Sequence, residues 1–158
     1  MLRLEHLASR ISEIHQIFNR IFDSSENNYL AKFKDNGNSM VGIDRCGKIQ
    51  AFMLIQNHPK GGQEISYLGI LPRYQRKGYG EKLLTIAQKN ASVLKLTVSP
   101  CSDAIRLYKK MGFSEKKSEY VWTASTAPTV STSAPSTEPT FRNLIYRYLS
   151  PTSIKNAR

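Results

Sequence analysis

The residues best suited to chemistry lie in one stretch, Gln75-Arg76-Lys77-Gly78-Tyr79-Gly80, where a basic pair is followed by two glycines one residue apart and then by a helical pattern. A strand, a Gly-rich turn and a helix together form an anion site. The first amides of the helix have no carbonyl partner, point outward and share the positive end of the helix dipole. Glycine removes the side chain that would hold a phosphate at a distance. The third glycine of a dinucleotide-binding fingerprint is absent, and no Gly-Lys-Ser/Thr ending of a nucleotide-phosphate loop occurs in the chain. Taken alone, the stretch also reads as a helix cap with a packing glycine. Cys46 and Cys101 match no metal-ligand spacing, so no metal is expected.

A strand must precede this loop and a helix must follow it, and the hydrophobic pattern supplies both. Leu2 to Leu7 reads as a first strand, and Ile11, Ile14, Phe18, Ile21 and Phe22 recur at helical spacing. Ser39 to Arg45 and Ile49 to Gln56 read as strands around Cys46-Gly47. Gly61-Gly62 then turns the chain into Glu64 to Leu71, which Pro72 ends. After the loop, Gly80, Leu83, Leu84, Ala87 and Ala91 fall on one helix face. Val93 to Val98 alternates as a strand does. Ser102 caps a helix carrying Ala104, Leu107, Tyr108 and Met111, and Gly112 marks its stop. Phe113 to Trp122 and Phe141 to Leu149 close the pattern as two strands. The stretch between them, Thr123 to Thr140, is Ser, Thr, Pro or Ala except at Val130 and Glu138. Such a composition cannot bury enough apolar surface to offset its ordering entropy, so 123–140 reads as a flexible insertion between the last two strands of a single domain spanning 1–158.

With 158 residues the chain suits one domain that needs no disulfides. A net charge of +11 attracts polyanions, whether nucleic acid, an anionic membrane or a phosphate-rich cosubstrate. The basic residues are scattered without interleaved aromatics, which argues against nucleic acid, although Lys109, Lys110, Lys116 and Lys117 could form a patch. No secretory h-region opens the chain, and no apolar run approaches the roughly 20 residues that cross a bilayer. A soluble cytoplasmic protein without a membrane partner is expected, as a monomer or homodimer, with the nucleus as the alternative compartment.

In this context Gln75 to Gly80 resembles the Gln/Arg-x-x-Gly-x-Gly/Ala pyrophosphate loop of the GNAT superfamily, the acyl-CoA-dependent N-acetyltransferases. A second segment, Ala104 to Phe113 (AIRLYKKMGF), is similar to that family's other signature, a helix with a Leu-Tyr pair ending in Gly-Phe. The two lie at the family's usual separation, and the resemblance extends over most of the chain. It implies an α+β fold: a central mixed, mostly antiparallel sheet of about seven strands, flanked by helices and splayed at the acetyl-CoA site. It also implies that Leu68, Gly69 and Ile70 line the pantetheine arm, with Gly69 at a bulge. Gln75, Arg76, Lys77, Gly78, Tyr79, Gly80 and Glu81 would then hold the pyrophosphate. Many members carry an asparagine where this chain has Cys101, and Ser102 or Asp103 would take over its contact to CoA.

The implied reaction moves an acetyl group from acetyl-CoA directly to a primary amine of a protein or small molecule. Direct transfer needs no covalent cysteine. An amine such as lysine is protonated at neutral pH, and removing its proton across roughly three pKa units costs about 4 kcal/mol, so a positioned base helps. In the histone-lysine acetyltransferase branch a base glutamate begins the strand before the loop, and Glu64 stands in the same relation to Gly78. Tyr108 occupies the position where many members carry a tyrosine that protonates the departing thiolate. The histone branch usually lacks that tyrosine, so the chain joins one branch's base to another's acid and leaves the acceptor open. A non-catalytic acetyl-CoA-binding module and a nucleic-acid-binding protein on the same fold are the other readings.

Overall fold

The computed structural model describes residues 1–8, 10–22, 27–100, 102–117 and 119–124. The strand expected at Phe141–Leu149 lies outside the described residues, as does all but the start of the 123–140 stretch. The strands are β1 Arg3–His6, β2 Met40–Ile43, β3 Ile49–Asn57, β4 Gln63–Ile70, β5 Val93–Thr97, β6 Ser114–Lys116 and β7 Glu119–Thr123. The helices are α1 Ile11–Ile21, α2 Asn27–Lys32, α3 Tyr79–Lys89 and α4 Ala104–Lys110. The short α2 carries no periodic apolar stripe and was not expected from the sequence.

The strands form one seven-stranded sheet in the order β1-β2-β3-β4-β5-β7-β6. Every neighbouring pair is antiparallel except β4 and β5, which are parallel and joined through α3. The fold is therefore mixed α+β with a mostly antiparallel open sheet. Although β4 continues to Ile70, it pairs with β5 only at Gln63↔Leu94 and Glu64↔Lys95. Beyond Glu64 the two strands part, and the sheet is splayed there.

Two observations correct the sequence reading. Phe113 to Trp122 is not one strand but a hairpin, with Ser114↔Val121 and Lys116↔Glu119 in register. Its tight turn places Lys117 at φ 45 without a glycine or proline to announce it. The bulge in β4 is also not at Gly69, which pairs regularly with Phe52. Leu54 faces Tyr67 and Ile55 faces Ile65, which leaves Ser66 as the extra residue. Gly69 serves packing instead: a Cβ there would lie 2.8 Å from Phe52 Cζ and 3.1 Å from Ile21 Cδ1.

That packing belongs to the core between α1 and the sheet. Ile14, Ile17, Phe18 and Ile21 form the buried stripe of α1. Phe18 meets Phe22 at a tilt at 4.9 Å and Tyr67 edge-on at 4.9 Å, and Phe52 closes the cluster, stacked 6.0 Å from Phe18. Aromatic pairs at such distances add about 1 kcal/mol each beyond their burial. On α3, Leu83, Leu84 and Ala87 are buried and hold the helix over β4 and β5. No helix among the described residues is long and apolar enough to cross a membrane.

Candidate active site

The loop after β4 is built to present backbone amides. Gln75 Nε2 donates to the Ile70 carbonyl at 2.8 Å and ties the loop to the end of the strand. Arg76 and Gly78 both lie in the left-handed region, at φ 58 and φ 79. At Gly78 a Cβ would meet nothing within 4 Å, so backbone conformation rather than crowding favours glycine there. Alternation of left- and right-handed residues curls successive N–H groups into an anion-binding concavity. Lys82 N is the first α3 amide with a partner in its own helix, the Gly78 carbonyl at 3.1 Å. The amides of Gly78, Tyr79, Gly80 and Glu81 are thus the free N-terminal set of α3. Tyr79 is anchored below them: Leu2 N donates to its hydroxyl at 2.7 Å, and its ring meets Tyr74 at 6.2 Å.

A cleft of about 260 Å³ opens over these amides, between the start of α3 and one face of α4. Of the residues expected at the site, it gathers Ile70, Arg76, Gly78, Tyr79, Gly80 and Glu81. The others stand elsewhere. Leu68 is buried, Gly69 faces Phe52, and the Gln75 side chain is turned to the end of β4. Lys77 Nζ lies 5.6 Å from the centre of the Tyr74 ring, which Arg73 also approaches at 4.8 Å. Ser102 Oγ accepts from Ala104 N at 3.2 Å in the turn that leads into α4, whose N-cap is Asp103.

The cleft also takes in Tyr74, Asp103, Ala104, Arg106, Leu107 and Lys110, most of which the sequence reading did not place there. Asp103, Arg106, Leu107 and Lys110 share one face of α4 by their spacing. That spacing was visible, but nothing local says the face meets α3. Lys110 Nζ pairs with Glu81 Oε1 at 2.6 Å across the two helices. Arg76, Arg106 and Lys110 set three cations against Glu81 and Asp103, and the free amides add positive potential.

Glu64 lies at the other end of β4, on the last rung before the splay. It is 8 % exposed, and its Oε2 accepts from Gln56 Nε2 at 3.2 Å. The bulge at Ser66 decides its direction. Gln56 opposite Glu64 and Leu54 opposite Tyr67 are two residues apart on β3, so Glu64 and Tyr67 share a sheet face despite their odd spacing. Six residues of strand separate Glu64 from Ile70, on the order of 20 Å. His58, in the turn between β3 and β4, is held below its ordinary pKa by burial and then by the charge of Lys95. Tyr108 is 1 % exposed, and its ring lies 5.8 Å from that of Phe113 and 6.4 Å from that of Tyr120. Neither Glu64 nor Tyr108 lines the cleft. Among the described residues no group of three His, Cys, Asp or Glu side chains is arranged to hold a metal ion.

Comparison with known proteins bears on the family and the fold. Residues 35–115 match the family model described as an acetyltransferase (GNAT) domain. Among solved structures, the ribosomal-protein-S18-alanine N-acetyltransferase of Escherichia coli superposes with a TM-score of 0.65 at 21% identity, over 81% of this chain and 97% of that one. NAA60 of Arabidopsis thaliana, in complex with acetyl-CoA, superposes with a TM-score of 0.63 at 18% identity, over 78% of this chain and 100% of that one. Ard1 of Thermoplasma volcanium gives 0.58 at 20% identity, over 76% of this chain and 94% of that one. At these identities the likeness is one of fold. No curated protein sequence matches the chain.

Proposed function

The chain belongs to the family of acetyltransferase (GNAT) domains, and on that premise we propose that it moves an acetyl group from acetyl-CoA directly to a primary amine. One observation carries the reading: a cradle of free amides at the start of α3 stands at the end of a β4 strand that has parted from β5. The residues present fit the cosubstrate. The amides of Gly78 to Glu81, with Arg76, Arg106 and Lys110, would hold a pyrophosphate in the cleft. Between β4 and β5, the parting of the strands beyond Glu64 leaves Leu68 to Ile70 to line a pantetheine arm. Bound acetyl-CoA supplies an acyl group activated as a thioester. Arginine and lysine differ here, since Arg76 and Arg106 offer planar forks to phosphate whereas Lys110 is a point charge already paired with Glu81.

Glu64 then serves as the base. It takes a proton from the acceptor's ammonium and frees the lone pair that forms the new nitrogen–carbon bond as the carbon–sulfur bond breaks, and the nitrogen's second proton leaves to solvent as the amide forms. Gln56 steadies its carboxylate by hydrogen bonding to Oε2. Tyr108 serves as the acid and returns a proton to the departing sulfur, its ring held by Phe113 and Tyr120. The E. coli relative of similar fold acts on an alanine of a ribosomal protein, as its name states, so peptide N-termini head the acceptor screen, followed by lysine peptides and small amines.

Titration calorimetry tests the reading. Acetyl-CoA should bind the wild-type chain, and Gly78→Asp, which sets a carboxylate in the anion cradle, should abolish or strongly weaken binding in a folded protein. No binding to wild type, or unchanged affinity in Gly78→Asp, would reject it.

A further inference from the structure

Glu64 and Lys95 are cross-strand partners on the last rung joining β4 to β5, so their side chains leave the sheet as neighbours on one face. Opposite charges in that relation ordinarily pair. Here each has another partner. The salt bridges among the described residues engage Arg3, Arg10, Arg73 and Lys110, and neither Glu64 nor Lys95 takes part. Lys95 Nζ instead donates to His58 Nδ1 at 3.2 Å, and Glu64 accepts from the neutral amide of Gln56 at 3.2 Å. His58 Nδ1 also accepts from the Lys60 backbone amide at 3.1 Å. An ammonium and a backbone N–H can only donate, so Nδ1 carries the lone pair and Nε2 the proton. Both bonds require the neutral ring.

We infer that His58 is a positioning residue that holds the Lys95 ammonium away from Glu64 and so keeps that carboxylate free to accept a proton. The inference rests on Glu64 being the base. Four groups act on His58: Lys95 from β5, Glu64 from β4, Glu119 from β7 and Lys60 from its own turn. Burial and the two lysines favour the neutral ring, while the two glutamates oppose them. Once protonated, Nδ1 becomes a donor and can no longer bind Lys95. The ammonium then has Glu64, its rung partner, and Glu119, on the strand beyond β5, as nearby anions. A Glu64 paired with Lys95 holds its charge more firmly and is a weaker base. Acid therefore inactivates the site through His58 as well as through Glu64 itself.

The test uses the full chain and four variants: H58A, H58Q, K95M and the double variant H58A/K95M. The readouts are kcat and KM across pH, and the Glu64 carboxyl titration followed by carbon-13 NMR. H58A should lower kcat about tenfold with the acetyl-CoA KM unchanged, and should move the Glu64 titration down by about one unit. H58Q, whose side-chain oxygen accepts a hydrogen bond but does not titrate in this range, should recover most of the lost kcat and remove the His58 contribution to the acid limb. Adding K95M to H58A should restore both kcat and the carboxyl titration. A loss that persists in H58A/K95M overturns the inference, because His58 would then act without Lys95. An unmoved Glu64 titration in H58A overturns it equally. Because the titration needs no turnover, it separates this idea from its premise. If E64Q keeps full activity while the Glu64 titration still moves in H58A, the base assignment falls and the link between His58, Lys95 and Glu64 stands.

Discussion

At Glu64 the residue type and its surroundings divide the work of general-base chemistry. The carboxylate is nearly buried, yet its hydrogen-bond partner is the neutral amide of Gln56 rather than a cation, an arrangement that leaves it able to take a proton. Glu64→Gln should lower kcat roughly 10²-fold or more, spare acetyl-CoA affinity and displace the acid limb of the pH–rate profile, because only the proton-transfer step is lost. Tyr108→Phe keeps the ring against Phe113 and Tyr120, and should instead slow thiolate departure and alter the alkaline limb. A pH–rate series on both variants checks this pair, and two silent variants would remove both residues from the chemistry. Gly78 poses a different residue-scale question. Alanine there meets open space but must adopt φ 79, so Gly78→Ala should cost about 1 kcal/mol in denaturant unfolding.

Strand β4 and helix α4 show how single elements carry both packing and function. On β4, Gly69 leaves the space that the Phe52 ring and Ile21 of α1 occupy. Gly69→Ala drives a methyl against a buried ring and should destabilise the fold by about 1–3 kcal/mol, with Phe52→Leu in the same chain recovering part of the loss. Urea midpoints for the single and double variants measure this. On α4, the Lys110–Glu81 pair joins the helix to α3 at the rim of the cleft, and both side chains are largely solvated, at 64% and 44% exposure. Such a pair contributes little to folding. Lys110→Met should therefore leave the urea midpoint almost unchanged while weakening acetyl-CoA binding several-fold, a contrast that calorimetry and unfolding together would expose.

Across the whole molecule the net charge of +11 gives the cleft's cations a long-range background. Acetyl-CoA affinity should fall as salt rises from 0.05 to 0.5 M, about the range over which the Debye length drops below the width of a cleft. Acid should weaken the fold. The Asp44 carboxyl lies below its ordinary value chiefly because the Lys48 amide donates to it, with Cys46 N, Gln50 and Arg73 adding to the effect. His58 also lies below its ordinary value, chiefly through burial. A group whose pKa is lower in the folded state contributes stability above its unfolded pKa and loses it as pH falls through the folded value. Melting temperature should thus begin to fall just below the unfolded histidine value of 6.5 and fall again below the unfolded aspartate value of 3.8. A melting temperature flat from pH 7 to 5 would contradict the His58 part.

Much of this was legible in the chain. Apolar runs bounded by turn residues, the alternation of β5 and period-3.6 stripes located β1 to β5, α1, α3 and α4 to within a residue or two, and the Gly-rich turn before a helical pattern pointed to outward-facing amides, although by itself it also fitted a helix cap with a packing glycine. Those signals are local: they record which side of an element is apolar and where the backbone must bend. Four features waited for the folded structure. They are the hairpin hidden in Phe113 to Trp122, the bulge at Ser66 that brings Glu64 to the face of Tyr67, the closure of the cleft by the Asp103, Arg106 and Lys110 face of α4, and the rung that makes Glu64 and Lys95 neighbours. Each depends on register or on the meeting of elements distant in sequence. Side-chain types alone leave that choice open, since a strand shifted by one residue keeps its pattern and reverses every face.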